Sequence, residues 1–179
     1  MTKRLYLLRH AQAAPSGTGI SDIDRYLTDK GLGDAAALGK YLSSQNLKPE
    51  LVLCSSAKRT QQTLKELSTS FDELNVQKSV DIYHASAGQL LGMIQDCTST
   101  QSIMIVGHNP SIYELAAMLS TQGCERVLSR LSQGYQPASL SIIDCECESW
   151  AEINPDHCTL SELVNPLDYN APERPTRWM

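Results

Sequence analysis

The chain has 179 residues, of which 41% are hydrophobic and 20% are charged, so we expect one globular domain and not a disordered chain. Its formal net charge of -5 argues against non-specific binding to nucleic acid or to an anionic membrane surface, and no segment reaches the length of a transmembrane helix. No signal peptide is recognisable at the N-terminus, so the expected location is the cytoplasm.

The six cysteines form no CxxC motif, and no pairing of cysteine with histidine has the spacing of a zinc site. Two of them are two residues apart, so in a strand they face the same side and make poor disulfide partners. We therefore expect small buried thiols in a reducing compartment, and we expect no metal and no cofactor. The cysteines are Cys54, Cys97, Cys124, Cys145, Cys147 and Cys158.

Segments typical of strands and of helices alternate along the chain, which predicts an α/β fold with a mostly parallel sheet. The predicted strands lie at 5–8, 51–53, 76–83, 103–106, 140–143 and 150–153. The last two could pair as a hairpin. One domain is expected to span 1–179, with a core at about 1–164 and an extended C-terminal tail at 165–179.

Four helices are predicted from a capping residue that is followed by apolar residues at helical spacing. Their predicted N-caps are Thr28, Ser56, Ser86 and Asn109. The first helix should end near 44–46, and Pro110 would stand at the first helical position of the fourth. A further short helix is predicted at 159–164.

Basic side chains and histidines directly follow three of the predicted strands. Arg9 and His10 end the first strand, and His108 follows the strand at 103–106. Arg59 lies in the first turn of the helix after the second strand. Taken singly, each has an ordinary structural role, as a polar strand end, a solvated arginine or a hydrogen-bonded histidine. Ligands bind at the carboxyl edge of open α/β sheets, so these groups converge in one cleft if the strands are neighbours.

Two arginines and two histidines in one cleft indicate an anion, and a tetrahedral phosphate suits them best, because a guanidinium binds two phosphate oxygens at once. A neutral histidine nitrogen can attack phosphorus and form a covalent phosphoimidazole, while the arginines stabilise the charge on the equatorial oxygens. The sequence has no Walker P-loop, no GxGxxG and no HExxH motif, which argues against a nucleotide cradle and against metal-assisted hydrolysis.

Three ordered segments resemble motifs of the histidine phosphatase superfamily, whose fold is phosphoglycerate-mutase-like. The segment 8–11, LRHA, is similar to the R-H-G/A signature, and 55–63, SSAKRTQQT, is similar to the S-x-x-x-R-x-x-Q-T segment. The segment 106–110, VGHNP, is similar to the G/S-H-N/x-P segment. The stretch 22–31, DIDRYLTDKG, and the short chain resemble the SixA-type phosphohistidine phosphatases. The resemblance covers about residues 3–120.

This resemblance implies a three-layer α/β/α sandwich whose mostly parallel sheet contains one antiparallel strand. It implies that His10 is the nucleophile that is transiently phosphorylated, and that Arg9 and Arg59 hold the phosphoryl group. It further implies that His108 binds a phosphate oxygen and stabilises the transition state. The additional substrate-binding residues implied are Arg25 and Asn109.

Two departures from the family pattern bear on the substrate. Ala11 stands where the wider superfamily more commonly has glycine, which is tolerable if the backbone there has no positive φ. No counterpart is found of the glutamate general acid of the mutase and acid-phosphatase branches, and Asp22, Asp24 and Asp81 are candidates by position alone. A phosphoramidate needs less acid assistance, because an imidazole whose other nitrogen is protonated departs as a neutral group.

These features favour a metal-independent phosphohistidine phosphatase that acts on a phosphotransfer or signalling protein, with no nucleic-acid and no membrane partner. The short chain leaves no room for large insertions over the site, and an open pocket suits a protein-borne phosphohistidine. Two alternatives stay open: a small-molecule phosphomonoesterase for sugar phosphates or nucleotides, and a phosphate-binding module without turnover. A general acid within reach of the pocket would favour the first, and full biological activity without His10 would favour the second.

Overall fold

The computed structural model of the protein describes residues 1–17 and 19–172. Within these residues seven strands form one sheet in the order β3-β2-β4-β1-β6-β7-β5. The strands are β1 (Thr2–Arg9), β2 (Leu51–Ser55), β3 (Val76–Ser79), β4 (Ser102–Gly107), β5 (Gln122–Gly123), β6 (Leu140–Glu146) and β7 (Cys158–Val164). Only β6 runs antiparallel to its neighbours, and the other strand pairs are parallel. The predicted fold class is therefore confirmed.

Five α-helices of the described residues cover the two faces of the sheet. They are α1 (Asp29–Ser44), α2 (Lys58–Ser68), α3 (Ala87–Gln95), α4 (Ser111–Leu119) and α5 (Glu125–Ser132). Because side chains alternate along a strand, Tyr6 and Leu8 of β1 pack with α1 and α2, whereas Leu5 and Leu7 pack with α3 and α4. This gives the three layers of the sandwich, with β1 buried on both faces.

Close packing between α1 and α2 fixes the helix that carries Arg59. A Cβ atom at Gly39 of α1 would collide with the carbonyl oxygen of Leu67 in α2, so only glycine permits this approach. In the middle of α2, Thr63 ties the helix to the segment that follows β1: its Oγ1 accepts the N–H of Ala11 at 3.0 Å and donates to the carbonyl oxygen of Arg59 at 2.8 Å.

Two of the four predicted helix caps are confirmed, and two lie one residue too early. The Thr28 side chain accepts the N–H of Gly31, and Ser86 forms a complete capping box. The N-cap of α2 is the residue after Ser56, because the Ser56 N–H still donates to Ser79 in the neighbouring strand. The N-cap of α4 is Pro110, because the side chain of Asn109 donates to the Tyr135 carbonyl oxygen and leaves the helix uncapped.

The predictions for the last quarter of the chain are partly wrong. The predicted strand at 150–153 is a short 3-10 helix (Trp150–Glu152), whose buried indole donates to the Thr100 carbonyl oxygen at 2.8 Å. The predicted helix at 159–164 is strand β7, which pairs with β6 in place of the predicted hairpin partner. A register shift in this pair places Leu160, Leu163 and Val164 inside, and that spacing imitates a helix.

Residues 165–172 of the predicted tail fold back on the core in turns. Tyr169 is buried, and its hydroxyl donates to the carbonyl oxygen of Ala138 at 2.8 Å. The remainder of the predicted tail, 173–179, lies outside the described residues. Among the residues that are described, no helix combines the length and the apolar character that crossing a bilayer requires.

Candidate active site

The carboxyl ends of β1 and β4 meet at one edge of the sheet and bring two histidines together. These strands are parallel neighbours, and Arg9 pairs with Gly107 in register. The N–H of His10 donates to the carbonyl oxygen of Gly107 at 3.0 Å, and the N–H of Ala138 donates to the carbonyl oxygen of His10 at 3.1 Å. His108 directly follows Gly107, and its ring centroid lies 5.3 Å from the ring centroid of His10. Both histidines are only 8% exposed.

Hydrogen bonds fix the tautomer of His10. Its Nδ1 lies 2.7 Å from the carbonyl oxygen of Ala11, and because a carbonyl oxygen only accepts, Nδ1 carries the proton. The Nε2 atom accepts the Nε–H of Arg59 at 3.3 Å. Nε2 therefore carries the lone pair of the ring, and this lone pair faces the guanidinium of Arg59. The φ angle of Ala11 is not positive, so alanine is accommodated where the wider superfamily more often has glycine.

Both rings are held in the neutral state. Burial lowers the pKa of His10 to about 4, assisted by the positive charges of Arg59 and Arg9 and opposed by the hydrogen bond to Ala11. Burial also lowers the pKa of His108 to about 3, with further contributions from His10 and Arg59. At neutral pH the Nε2 atom of His10 is therefore an unprotonated nitrogen, as a nucleophile must be.

Arg59 lies between His10 and a carboxylate of the loop before α1. Its side chain is buried, and both terminal nitrogens are directed at Asp22: Nη1 donates to the backbone carbonyl oxygen at 2.6 Å and Nη2 to Oδ2 at 3.1 Å. Arg25 donates from Nη1 to Oδ1 of Asp22 at 2.8 Å and from Nε to the carbonyl oxygen of Ala14 at 2.8 Å. The Asp22 carboxylate thus already accepts hydrogen bonds from both arginines.

Tyr83 completes this network from the opposite side of the cleft. Its hydroxyl donates to Oδ2 of Asp22, and its ring lies edge-on to His108 at 5.4 Å between centroids. The Tyr83 hydrogen bond and the two arginines hold the pKa of Asp22 far below its usual range, although burial opposes them. Asp22 is therefore an ionised acceptor and not a proton donor at neutral pH.

The other two candidate acids lie apart from the histidines. Asp24 faces a groove beside Lys58 and Lys65, where its carboxylate accepts the hydroxyl of Ser21. Asp81 lies against the outer strand β3. Within residues 1–17 and 19–172, no hydrogen bond or ion pair joins either carboxylate to His10, Arg59 or His108.

Several buried polar atoms at this edge lack a hydrogen-bond partner among the described residues. Arg9 donates from Nη1 to the carbonyl oxygen of Tyr135 at 2.7 Å, yet its Nε is unpaired. His108 contacts the hydroxyl of Ser55 through Nε2 at 2.8 Å, and its Nδ1 is unpaired. Buried polar atoms are nearly always satisfied in proteins, so this concentration indicates a site that binds a polar group.

Sequence reasoning did not identify three contributors to this site. Tyr83 follows a short edge strand, Ser55 ends β2, and Tyr135 lies in the loop before β6. The Tyr135 carbonyl oxygen accepts from both Arg9 and Asn109, and its hydroxyl donates to the carbonyl oxygen of Leu7 at 2.5 Å. No local motif marks Tyr83 or Tyr135, whereas Ser55 stands at the first position of the segment 55–63.

Replacing both His10 and His108 by glutamine should weaken the pH dependence of the free energy of unfolding below neutral pH. An unfolded histidine titrates near pH 6.5, whereas these two titrate at about 4 and about 3 when folded. Between these values the unfolded chain binds more protons, so the free energy of unfolding falls as the pH falls, by up to about 2.7 kcal/mol per unit for two groups. Urea unfolding at several pH values between about 4.5 and about 7 measures this slope. If the free energy of unfolding of the double variant depended on pH as steeply as that of the wild type, the lowered pKa values of the two histidines would be contradicted.

Comparison with known proteins identifies the family of the chain. The model of the histidine phosphatase superfamily (branch 1) matches residues 5–99. The chain is 37% identical over 131 residues to an uncharacterized chloroplast protein of Arabidopsis thaliana, a match that covers 67% of this chain and 60% of the relative. It is 28% identical over 123 residues to the phosphohistidine phosphatase SixA of Escherichia coli strain K12, covering 65% of this chain and 73% of that protein.

Solved structures give the same result. The crystal structure of the Agrobacterium tumefaciens protein designated SixA is 30% identical in sequence and superposes with a TM-score of 0.77, covering 92% of this chain and 98% of that one. The family model matches more than half of the 179 residues, and the matched segment includes the strand end that carries His10 and the helix that carries Arg59. The chain therefore belongs to the histidine phosphatase superfamily, is of the SixA type, and is a phosphatase.

Proposed function

We propose that the protein hydrolyses phosphohistidine on another protein, through a covalent phosphohistidine intermediate at His10. The observation that carries this proposal is the ionisation state of the Asp22 carboxyl group. It is the carboxylate in contact with Arg59, and it is held ionised by Arg25, Arg59 and Tyr83, so it does not supply a proton to a leaving group. A substrate that needs no general acid is therefore favoured.

In the first step, Nε2 of His10 attacks the phosphorus atom and forms a phosphorus–nitrogen bond. The bond between phosphorus and the substrate imidazole breaks, and its electron pair stays on that nitrogen. If the other nitrogen of the substrate ring is protonated, the imidazole leaves as a neutral molecule. Alkoxide leaving groups lack this advantage and need a proton donor.

In the second step, water attacks the phosphorus atom on His10 and forms a new phosphorus–oxygen bond. The bond between phosphorus and Nε2 breaks, its electron pair stays on Nε2, and the protons of the water leave with the released phosphate. The phosphorylated ring is cationic, because Nδ1 keeps its proton, and the carbonyl oxygen of Ala11 stabilises that proton through the 2.7 Å hydrogen bond. Departure of the phosphoryl group then restores the neutral ring with its lone pair on Nε2. The same tautomer thus serves both steps.

The remaining site residues are assigned to the phosphoryl oxygens. The unpaired Nε of Arg9 is a buried donor, and the unpaired Nδ1 of His108 is a second one in the tautomer whose Nε2 accepts the Ser55 hydroxyl hydrogen; both support roles in stabilising the charge that develops in the transition state. Arg59 and Arg25 would exchange the Asp22 carboxylate for phosphate oxygens. Asn109 is the exception and is proposed as a substrate-binding residue whose unpaired Oδ1 would accept a hydrogen bond from a donor of the substrate, not from a phosphoryl oxygen.

We further propose that the reaction uses no metal and that the substrate is a phosphotransfer or signalling protein in the cytoplasm. Among the described residues, no three His, Cys, Asp or Glu side chains are placed to hold a metal ion. All six cysteines are free thiols, as is usual in a reducing compartment. The similarity to the Escherichia coli phosphohistidine phosphatase supports the proposed substrate class.

A side-by-side assay in the presence of a chelator tests this function. Purified protein is given a phosphohistidine-bearing phosphotransfer domain or p-nitrophenyl phosphate, and phosphate release is compared with that of His10→Ala. Faster, His10-dependent release from phosphohistidine is the expected result. Faster release from the aryl phosphate would identify a small-molecule phosphomonoesterase, and release from neither would identify a phosphate-binding module.

Replacing Asp22 by asparagine should tighten oxyanion binding and preserve turnover. The carboxylate competes with phosphate for Arg25 and Arg59, so its neutralisation should lower the inhibition constant of orthovanadate several-fold. The kcat for phosphohistidine should stay within about threefold, whereas removal of a general acid costs about 10²- to 10⁴-fold. Steady-state kinetics and vanadate inhibition measure both quantities. A loss of kcat in that larger range would identify Asp22 as the acid and contradict the proposed mechanism.

A further inference from the structure

A groove rich in lysine lies beside the candidate active site. It runs between the exposed face of α2, the outer strand β3 and the loop before α1. Lys58, Lys65 and Lys78 line it, together with Ile23 and Asp24, and all five side chains are exposed. Lys58 and Lys65 share one face of α2, because seven residues correspond to two helical turns. We call this feature the lysine groove.

The lysine groove and the candidate site share their elements. Lys58 directly precedes Arg59 at the start of α2, and Ile23 directly follows Asp22, which accepts hydrogen bonds from Arg59. A molecule that presents a phosphoryl group to His10 would therefore have the lysine groove within reach of its adjacent surface.

The charge of the groove is opposite to that of the whole chain. Against a formal net charge of -5, three lysines and one aspartate give the groove a local excess of positive charge. Within residues 1–17 and 19–172, none of the three lysines forms an ion pair. Lys78 donates to Oε1 of Gln61 at 3.3 Å, and Lys58 lies 5.8 Å from the ring centroid of Tyr26. These contacts leave the positive charges uncompensated.

Apolar side chains lie within this charged surface. Ile23 is 38% exposed and Tyr26 is 44% exposed, and both belong to the small set of large hydrophobic residues that are exposed in the described chain. Apolar anchors beside charged groups are typical of protein–protein interfaces. A nucleic acid would be opposed by the negative charge of the rest of the molecule, whereas an acidic patch on a protein needs to match only this groove.

We propose that the lysine groove docks an acidic surface of the protein that carries the phosphohistidine. This inference rests on the proposed function and adds the chemistry by which the substrate is chosen. The lysines steer an acidic partner to the site and hold it there, while Ile23 and Tyr26 contact its apolar side chains. Small phosphorylated molecules do not reach the groove and are turned over independently of it.

A binding experiment tests the docking surface without any chemical step. A fluorescent, unphosphorylated peptide in which glutamates flank one histidine is titrated with the wild type and with Lys65→Glu/Lys78→Glu. The matched control is Lys40→Glu/Lys48→Glu, in which two exposed lysines outside the groove change charge equally. We expect at least about tenfold weaker binding for the groove variant alone, and binding by the wild type that weakens as salt is added.

Equal binding by the groove variant and its control would overturn the proposal. Tighter binding of a single-stranded DNA of equal charge than of the peptide would overturn it as well and would favour a nucleic-acid surface. Because the probe carries no phosphate, these outcomes are separate from failure of the proposed function.

A turnover experiment then connects docking to the reaction. Two peptides with one phosphohistidine, flanked by glutamates or by glycines and serines, are compared with phosphoramidate as a small substrate. The wild type should show a kcat/KM at least about tenfold higher for the acidic peptide, and the groove variant should lose this preference with unchanged turnover of phosphoramidate. An equal loss on all three substrates would indicate damage to the site itself and would contradict a docking role.

Discussion

Replacing His10 by alanine should abolish phosphatase turnover, with a loss of at least about 10⁴-fold in kcat. No other ring has the same combination of properties among the described residues: burial, a pKa lowered to about 4, and a proton fixed on Nδ1 by the Ala11 carbonyl oxygen. His108 is also neutral, but its Nε2 contacts Ser55. Without Nε2 of His10 the covalent step has no acceptor for the phosphoryl group.

Two measurements separate this chemical loss from misfolding. Brief incubation with radiolabelled substrate should leave an acid-labile, alkali-stable phosphate on the wild type and none on His10→Ala. Thermal unfolding should remain cooperative in His10→Ala and in His10→Gln, which fills more of the space. Replacement of the exposed His157, which lies just before β7 at the opposite edge of the sheet, serves as the control and should leave turnover unchanged. Near-normal activity of a folded His10→Ala would refute the mechanism.

Replacing Arg59 by alanine should reduce kcat/KM by about 10³-fold or more. The Arg59 side chain is buried and donates to Nε2 of His10, so in the proposed mechanism it lies beside the transferred phosphoryl group. Its planar guanidinium presents N–H groups in a fixed fork, which can bind two phosphate oxygens at once. Arg59→Lys keeps the charge but loses this fork, and we expect it to recover only a small part of the activity.

The matched control for Arg59→Ala is Arg130→Ala. Arg130 of α5 also forms a bidentate ion pair with an aspartate, Asp168, and among the described residues it makes no hydrogen bond to His10, Arg59 or His108. Its loss should leave kcat/KM within about twofold, since ion pairs near the surface contribute about 1 kcal/mol or less to stability. If both variants lost activity equally, the effect of Arg59→Ala would be structural. Inhibition by orthovanadate should weaken in Arg59→Ala alone.

The effects of His10→Ala and Arg59→Ala should not add. His10 and Arg59 touch each other and, in the proposed mechanism, act on the same phosphoryl group, so the double variant should be about as impaired as His10→Ala. This comparison tests whether the two side chains form one functional unit.

The sequence was most informative where function and local structure coincide. The strand-end cluster was predicted from buried strands that end in Arg-His or Gly-His and from a helix cap shortly before Arg59. This was possible because the periodicity of a strand or a helix depends on residues that are neighbours in the sequence. Adjacency of β1, β4 and β2 then brought these ends together. Prediction failed at β7, where a register shift in its pairing with β6 breaks the strict alternation that marks a strand.

The sequence by itself therefore determined the α/β class, the superfamily motifs and the identity of the histidines and arginines at the sheet edge. The tertiary structure alone decided that Asp22 is an ionised partner of Arg25, Arg59 and Tyr83 and not a proton donor. It alone placed the lysines of α2 and β3 in one groove. The physical reason is that pKa values and side-chain contacts depend on distances between residues far apart in the chain, which loop conformation and strand order set and local sequence does not.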